Sequence, residues 1–232
     1  MADLEYVQLM ASLPALGPVL GAKSVPISAL KLSKRLRDML KPEHKAQIDA
    51  AEGVLDWHEI PLRMSDDEFL VRAGDVVARL KNPTLRRLVE EVLEARTLIA
   101  ALRRRESGQD APPANAPWGY GRQLKRIRNN WRDPSFGLSH AYTWLLPFKE
   151  KLASGDTAGS ERLVLEVAWR QADRLVGFHT FDFEAVALYV VRWHLLDRWT
   201  RYDAEGAAVR FGKLIADALD AAPADLNFNV GD

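Results

Sequence analysis

Along most of the chain apolar side chains recur at three- and four-residue spacing with charged residues between them. This is the pattern of helices that bury one face. The strongest instance is residues 182–202, DFEAVALYVVRWHLLDRWTRY, which contains no Pro and no Gly. Two apolar stripes run along it: Val186, Val190, Trp193 and Leu196, and Leu188, Val191, Leu195, Trp199 and Tyr202. A helix apolar on two stripes packs on both sides. Asp182 is the expected N-cap, because a short carboxylate accepts hydrogen bonds from first-turn amides. Phe181 and Val186 are spaced for a hydrophobic staple. At 1.5 Å per residue this helix spans about 30 Å, and it is the expected pillar of the fold.

The remaining pattern predicts further helices in sequence. In residues 5–12, Tyr6 and Val7 favour a short N-terminal strand, with an extended segment or a helical turn as the competing reading. Pro14, Pro18, Gly21 and Pro26 make an irregular crossing. A helix follows over 28–40, with Leu30, Leu36 and Leu40 inward and Lys31, Lys34, Arg35 and Arg37 outward. The next runs from Pro42 to about Gly53. After a linker at 56–61, Ser65 and Glu68 form a capping box, stapled by Met64 and Phe69, for a helix to about Leu80. Asn82-Pro83 caps a long helix over 84–107, with Leu85, Leu88, Val92, Ala95, Ile99 and Leu102 on one face.

Three prolines and three glycines in residues 108–121 break the helical pattern. A basic helix is expected over 122–132, one bent at Pro147 over 141–153, and a long one over 157–176. A last helix over 205–219 should pack back, followed by a loose tail from Ala221. The expectation is an all-α multi-helix bundle in two lobes, 1–110 and 111–232, with a single continuous domain as the alternative.

Composition narrows the function. Of 232 residues 47% are hydrophobic and 28% charged, as in ordinary globular proteins. Lys+Arg and Asp+Glu are equal at 32 each, so no net charge draws the chain to nucleic acid or lipid. The absence of cysteine removes disulfides and thiolate chemistry. Asp3 and Glu5 stand where a signal peptide carries basic residues, and Pro14, Gly17 and Pro18 break its apolar run. No uninterrupted apolar run reaches about 18 residues. A cytoplasmic protein is expected.

Candidate chemistry is sparse. His179, Asp182 and Glu184 place one imidazole and two carboxylates within six residues, a set that metals use. Each also has a structural reading, as turn, cap and first-turn acid, and no metal or cofactor is expected. His194 and Asp197 share a helix face as an acid–base pair without a nucleophile beside them. Arg103, Arg104 and Arg105, with Arg122, Lys125, Arg126, Arg128 and Arg132, flank the Pro-rich break. Trp118, Tyr120 and Trp131 interleave with them. Cations with aromatics suit single-stranded nucleic acid. In a neutral chain the stronger reading is a protein-docking face formed by Arg103, Arg104, Arg105, Arg126 and Arg128.

Three stretches carry a family likeness. They are Tyr6-Val-Gln-Leu-Met-Ala-Ser-Leu-Pro14, Glu94-Ala-Arg-Thr-Leu-Ile-Ala-Ala-Leu-Arg-Arg-Arg105, and Phe181-Asp-Phe-Glu-Ala-Val-Ala-Leu-Tyr189 running on to Leu195-Leu-Asp-Arg-Trp199. In these the chain resembles an uncharacterised bacterial family whose genes tend to lie among those for V/A-type ATPase subunits. The second and third also distantly resemble the rotor-capping component of those ATPases, the helical funnel between rotor ring and central stalk. This chain is shorter than that funnel protein and carries His194 where a Glu is expected. The resemblance implies a non-catalytic structural or coupling component involved in ion transport, in contact with the rotor ring or central stalk. It would be cytoplasmic and peripheral to the inner membrane through its partners, without nucleic acid or a small-molecule substrate. The alternatives are a small helical hydrolase or metal-binding enzyme using His179, Asp182 and Glu184, and a nucleic-acid-binding adaptor.

Overall fold

A computed structural model describes residues 4–55, 65–112 and 117–220, with side chains described through Tyr202. The linker expected at 56–61, the staple residue Met64 and the tail from Ala221 lie outside the described residues, as do residues 113–116 of the Pro-rich break. Among the described residues there are nine helices and no strand. They are α1 (Leu4–Ser12), α2 (Ala29–Met39), α3 (Pro42–Leu55), α4 (Asp66–Arg79), α5 (Pro83–Glu106), α6 (Leu124–Asn129), α7 (Leu145–Ala153), α8 (Thr157–Val176) and α9 (Phe183–Asp220). The fold class is all-α.

Helix starts follow local chemistry. Ser65 accepts from the Glu68 amide and Glu68 accepts from the Ser65 amide at 2.8 Å, closing the capping box of α4. These Ser65 bonds hold the Glu68 carboxyl below its usual range. Asn82 Oδ1 accepts from the Leu85 amide at 2.9 Å, with Pro83 in the first turn of α5. Asp156 Oδ1 accepts from Gly159 at 2.8 Å at the start of α8. Asp182 Oδ1 accepts from Ala185 at 2.9 Å at the start of α9. Each bond satisfies a first-turn amide that has no partner inside its own helix.

Five expectations change. The N-terminal segment is helix α1 rather than a strand, because helical spacing turns Tyr6 and Leu9 into the core together. In α2 the buried residues are Leu32 and Leu36, while Leu30 is 79% exposed. The basic segment 122–132 holds a helix of only six residues, α6, before passing into turns. Pro147 lies in the first turn of α7, where its missing N–H removes no hydrogen bond, so the helix begins there instead of bending. The last two expected helices are one, α9 of 38 residues, about 57 Å long at 1.5 Å per residue.

Three apolar clusters organise the chain. The first joins α1 to α4 with Leu85, Val89 and Leu93 of α5 and with Phe183, Val186, Val190 and Trp193 of α9. The second joins Leu98, Ile99 and Leu102 of α5 to Ile127, Phe136, Leu145 and Phe148, with Val167 of α8. The third, Leu88, Ala172 and Leu188, stitches α5, α8 and α9 together. The Pro-rich break lies between α5 and α6 in the chain, and apolar packing joins the residues before it to those after it. α5 contributes to all three clusters and α9 to two.

α9 also fixes the N-terminal crossing. Tyr189 donates to the Pro14 carbonyl at 2.9 Å, and Trp193 Nε1 donates to the Ile27 carbonyl at 2.8 Å. The His44 ring stacks on Phe183 with centroids 4.1 Å apart and is hydrogen-bonded to the Tyr6 hydroxyl. Gln47 Oε1 accepts from the amides of both Lys81 and Asn82, which ties α3 to the α4–α5 turn.

Candidate functional site

The structure brings His179, Asp182 and Glu184 together at the start of α9, with one potential ligand atom from each within 4.8 Å of the others. Their geometry is that of a helix entry. Asp182 spends Oδ1 on the cap and holds His179 Nδ1 through Oδ2 at 2.8 Å. Glu184 Oε1 accepts from Asn82 Nδ2 at 2.7 Å, joining the starts of α5 and α9. Phe178 and Phe181 on the same turn are 81% and 41% exposed. Phe183, one residue into the helix, takes the buried position instead of the Phe181 expected to staple it.

His194 and Asp197 do not pair with each other. His194 Nε2 lies 2.8 Å from Glu52 Oε1 on α3, and Asp197 Oδ2 lies 2.6 Å from Arg201.

The basic residues divide. Arg105 donates to the Asp133 and Pro134 carbonyls and lies 4.7 Å over the Phe136 ring. Arg126 donates to the Gly137 carbonyl at 2.6 Å. Both thus clamp the turn 133–137, in which buried Phe136 adopts a left-handed φ of 56°. Asp133 Oδ1 accepts from Ser135 and Gly137 amides, and these bonds hold its carboxyl below the usual range. Trp131 stacks on Phe136 and donates to the Gln109 carbonyl. Arg103 is exposed, and Arg104 and Arg128 are half-exposed.

A polar clasp in the middle of α5 has no counterpart among the expectations from sequence. Glu94, 5% exposed, accepts from the Arg122 amide and from the Tyr142 hydroxyl, both at 2.8 Å. One turn on, Thr97 accepts from the Tyr120 amide at 2.8 Å. Burial, and then Glu94, push the Tyr142 phenol up to about 12. The loop lies so close that a Cβ on Gly121 would come within 2.8 Å of Glu94 Cγ, and one on Gly119 would overlap Thr97 Cγ2. Gly121 also needs its φ of 116°. The clasp locks the end of the Pro-rich break, residues 119–122, onto α5.

A cavity of about 290 Å³ lies between α3, α5, α8 and α9. Its walls are mostly apolar, with Ile48, Leu88, Val92, Val164 and Val191 among them beside the small residues Ala51, Ala95 and Ala168. Glu52, Arg96, His194, Asp197, Arg198 and Arg201 supply its charged groups.

No protein-family model, no curated protein and no solved structure matches the chain. Among the described residues, no helix is long and apolar enough to cross a membrane.

Proposed function

We propose that this chain is a structural or coupling component of a bacterial V/A-type ATPase, acting through protein–protein contacts rather than catalysis. The observation that carries the reading is the ordered likeness of three stretches to a family encoded beside such ATPases. Their places in the fold support an architectural role. The first stretch is α1 and the turn after it, and the third is the first half of α9. The two are joined by the Tyr189 hydroxyl on the Pro14 carbonyl. The second stretch starts at Glu94 of the clasp and ends at Arg105, which holds the 133–137 turn. The side chains that make these stretches distinctive thus hold helices and loops in place.

The partner surface in this reading is the basic end of α5 with α6. Arg105 and Arg126 are committed to the 133–137 turn, so docking falls to Arg103, Arg104 and Arg128. The test is an affinity pull-down of the tagged protein from its own cells, membrane fraction included, read by mass spectrometry. ATPase subunits should arrive near stoichiometrically, and charge reversal at Arg103, Arg104 and Arg128 should remove them. A protein that comes down alone overturns the proposal.

A second reading, a metal-binding enzyme, is favoured by one observation, the closeness of His179, Asp182 and Glu184. Metal analysis of protein purified without chelator decides it. Stoichiometric zinc or another divalent ion supports it, and a metal-free protein leaves these residues as a helix entry.

A further inference from the structure

We infer that the cavity between α3, α5, α8 and α9 binds a single-chain anionic amphiphile, a medium-chain carboxylate with its tail inside and its head among the basic side chains of the lining. This inference stands apart from the ATPase reading. Three observations carry it: volume, wall chemistry and the arrangement of charge.

The volume sets the size of the guest. A dry apolar cavity of about 150 Å³ accepts benzene, with six carbons. By proportion, 290 Å³ accepts about twelve carbons. A helix from a partner protein is excluded by the same measure. With side chains it is about 10 Å across, so a single turn already exceeds this space.

The walls select an alkyl chain. Ala51, Ala95, Ala168 and Ala187 come from four different helices, α3, α5, α8 and α9. Branched side chains such as Val92, Val164 and Val191 lie between them. Methylene groups lose no hydrogen bonds by leaving water for such walls.

The charged groups select the head. His194, Arg198 and Arg201 follow at four- and three-residue spacing on one face of α9, and Arg96 of α5 lines the same cavity. Glu52 and Asp197 are the lining acids, and Arg96 donates to the Val54 and Leu55 carbonyls, which leaves the α9 groups to meet a head. The internal pairs His194–Glu52, Arg201–Asp197 and Arg198–Glu161 hold these groups in position. Arg201 is the most accessible of the three basic groups on α9, with its side chain 58% exposed against 37% for His194 and 20% for Arg198. Its guanidinium presents five donors in a planar fork, so it can hold Asp197 and still receive a carboxylate.

The experiment is calorimetric titration of the full chain with saturated carboxylates of six to sixteen carbons, each below its micellar concentration. Binding should be saturable and one-to-one. Affinity should rise about fourfold per methylene up to about twelve carbons and then flatten, since further methylenes find no wall. Arg201→Gln should weaken dodecanoate about tenfold and leave dodecanol unchanged. Ala168→Phe, which fills the cavity, should abolish binding while the circular dichroism spectrum is kept. The inference is overturned by the absence of saturable heat at any chain length, or by affinity that climbs steadily past fourteen carbons. Equal loss of dodecanoate and dodecanol in Arg201→Gln would overturn it too. The chain-length series on the unaltered protein and the exposed Arg201 site decide the matter even if Ala168→Phe does not fold.

Discussion

Gly119→Ala tests whether the clasp on α5 is a close-packed joint. Gly119 does not sit at a positive φ, so an alanine suffers no backbone penalty there. The obstacle is Thr97. The new Cβ would overlap its Cγ2 and lie 3.1 Å from its Oγ1 and 3.0 Å from Leu124 Cδ2. Thr97 is 6% exposed and also donates to the Leu93 carbonyl at 3.0 Å, so it cannot swing away without losing a bond. Overpacking of this kind costs about 1–3 kcal/mol. Displacing the Tyr120 amide from Thr97 leaves a half-buried donor unpaired, about 1–3 kcal/mol more at full burial. A loss of about 2–4 kcal/mol is expected, read from urea unfolding at 25 °C.

Thr97→Ser is the diagnostic partner, because it removes the obstructing methyl and keeps the hydroxyl that accepts from Tyr120. Alone it should cost about 1 kcal/mol, one buried methyl. Combined with Gly119→Ala it should leave the protein more stable than Gly119→Ala alone, with a coupling of at least about 1 kcal/mol. Gly177→Ala is the control. Gly177 closes α8 at φ −61° with open space around it, and alanine there should be neutral or stabilising by up to about 1 kcal/mol. A Gly119→Ala protein as stable as the parent, or a double variant whose losses simply add, refutes the joint.

Three further outcomes follow from the same geometry. Burial raises both Tyr142 and Tyr189 from 10.0 to about 12, so each favours the folded state below pH 10 and withdraws that support as pH rises toward 12. Unfolding midpoints should therefore fall across that window, and Tyr142→Phe with Tyr189→Phe should flatten the fall. Asp182→Asn should keep the α9 cap and hold the thermal midpoint near that of the parent, whereas Asp182→Ala should lose about 1 kcal/mol. Arg105→Lys keeps the charge but not the fork that reaches both the Asp133 and Pro134 carbonyls. It should lose about 1–2 kcal/mol, against less than about 0.5 kcal/mol for Arg103→Lys.

Helix entries are legible in the sequence because their chemistry is local. Ser65 with Glu68, Asn82 with Pro83, and Asp182 each cap a helix from within a few residues. α1 departs from expectation because β propensity at Tyr6 and Val7 yields to tertiary contacts that bury Tyr6 and Leu9 together. α9 runs on unbroken because the expected turn near residues 203–204 has neither Pro nor Gly to impose it. Glu94 and Thr97 look like ordinary polar positions of a helix surface. Their partners Tyr120, Arg122 and Tyr142 are 23 to 48 residues away, and only the fold brings them in. The cavity is invisible in the sequence for a related reason. Periodicity tells which face of each helix is apolar, but not whether four such faces fill the space between them.

The passage of α5 through all three clusters has a consequence for how the molecule comes apart. A fragment ending near residue 110 would carry Leu98, Ile99 and Leu102 on a bare helix face. It would also lack Phe183, Val186, Val190 and Trp193, which complete its own interior. The complementary fragment would hold the first half of α9 with nothing to lie against on that side. Neither piece keeps a closed interior, so opening at either end must propagate along α5. Amide protons in the middle of that helix should exchange only when the whole chain unfolds. A load applied to one end of α5 is likewise felt in every cluster of the molecule at once.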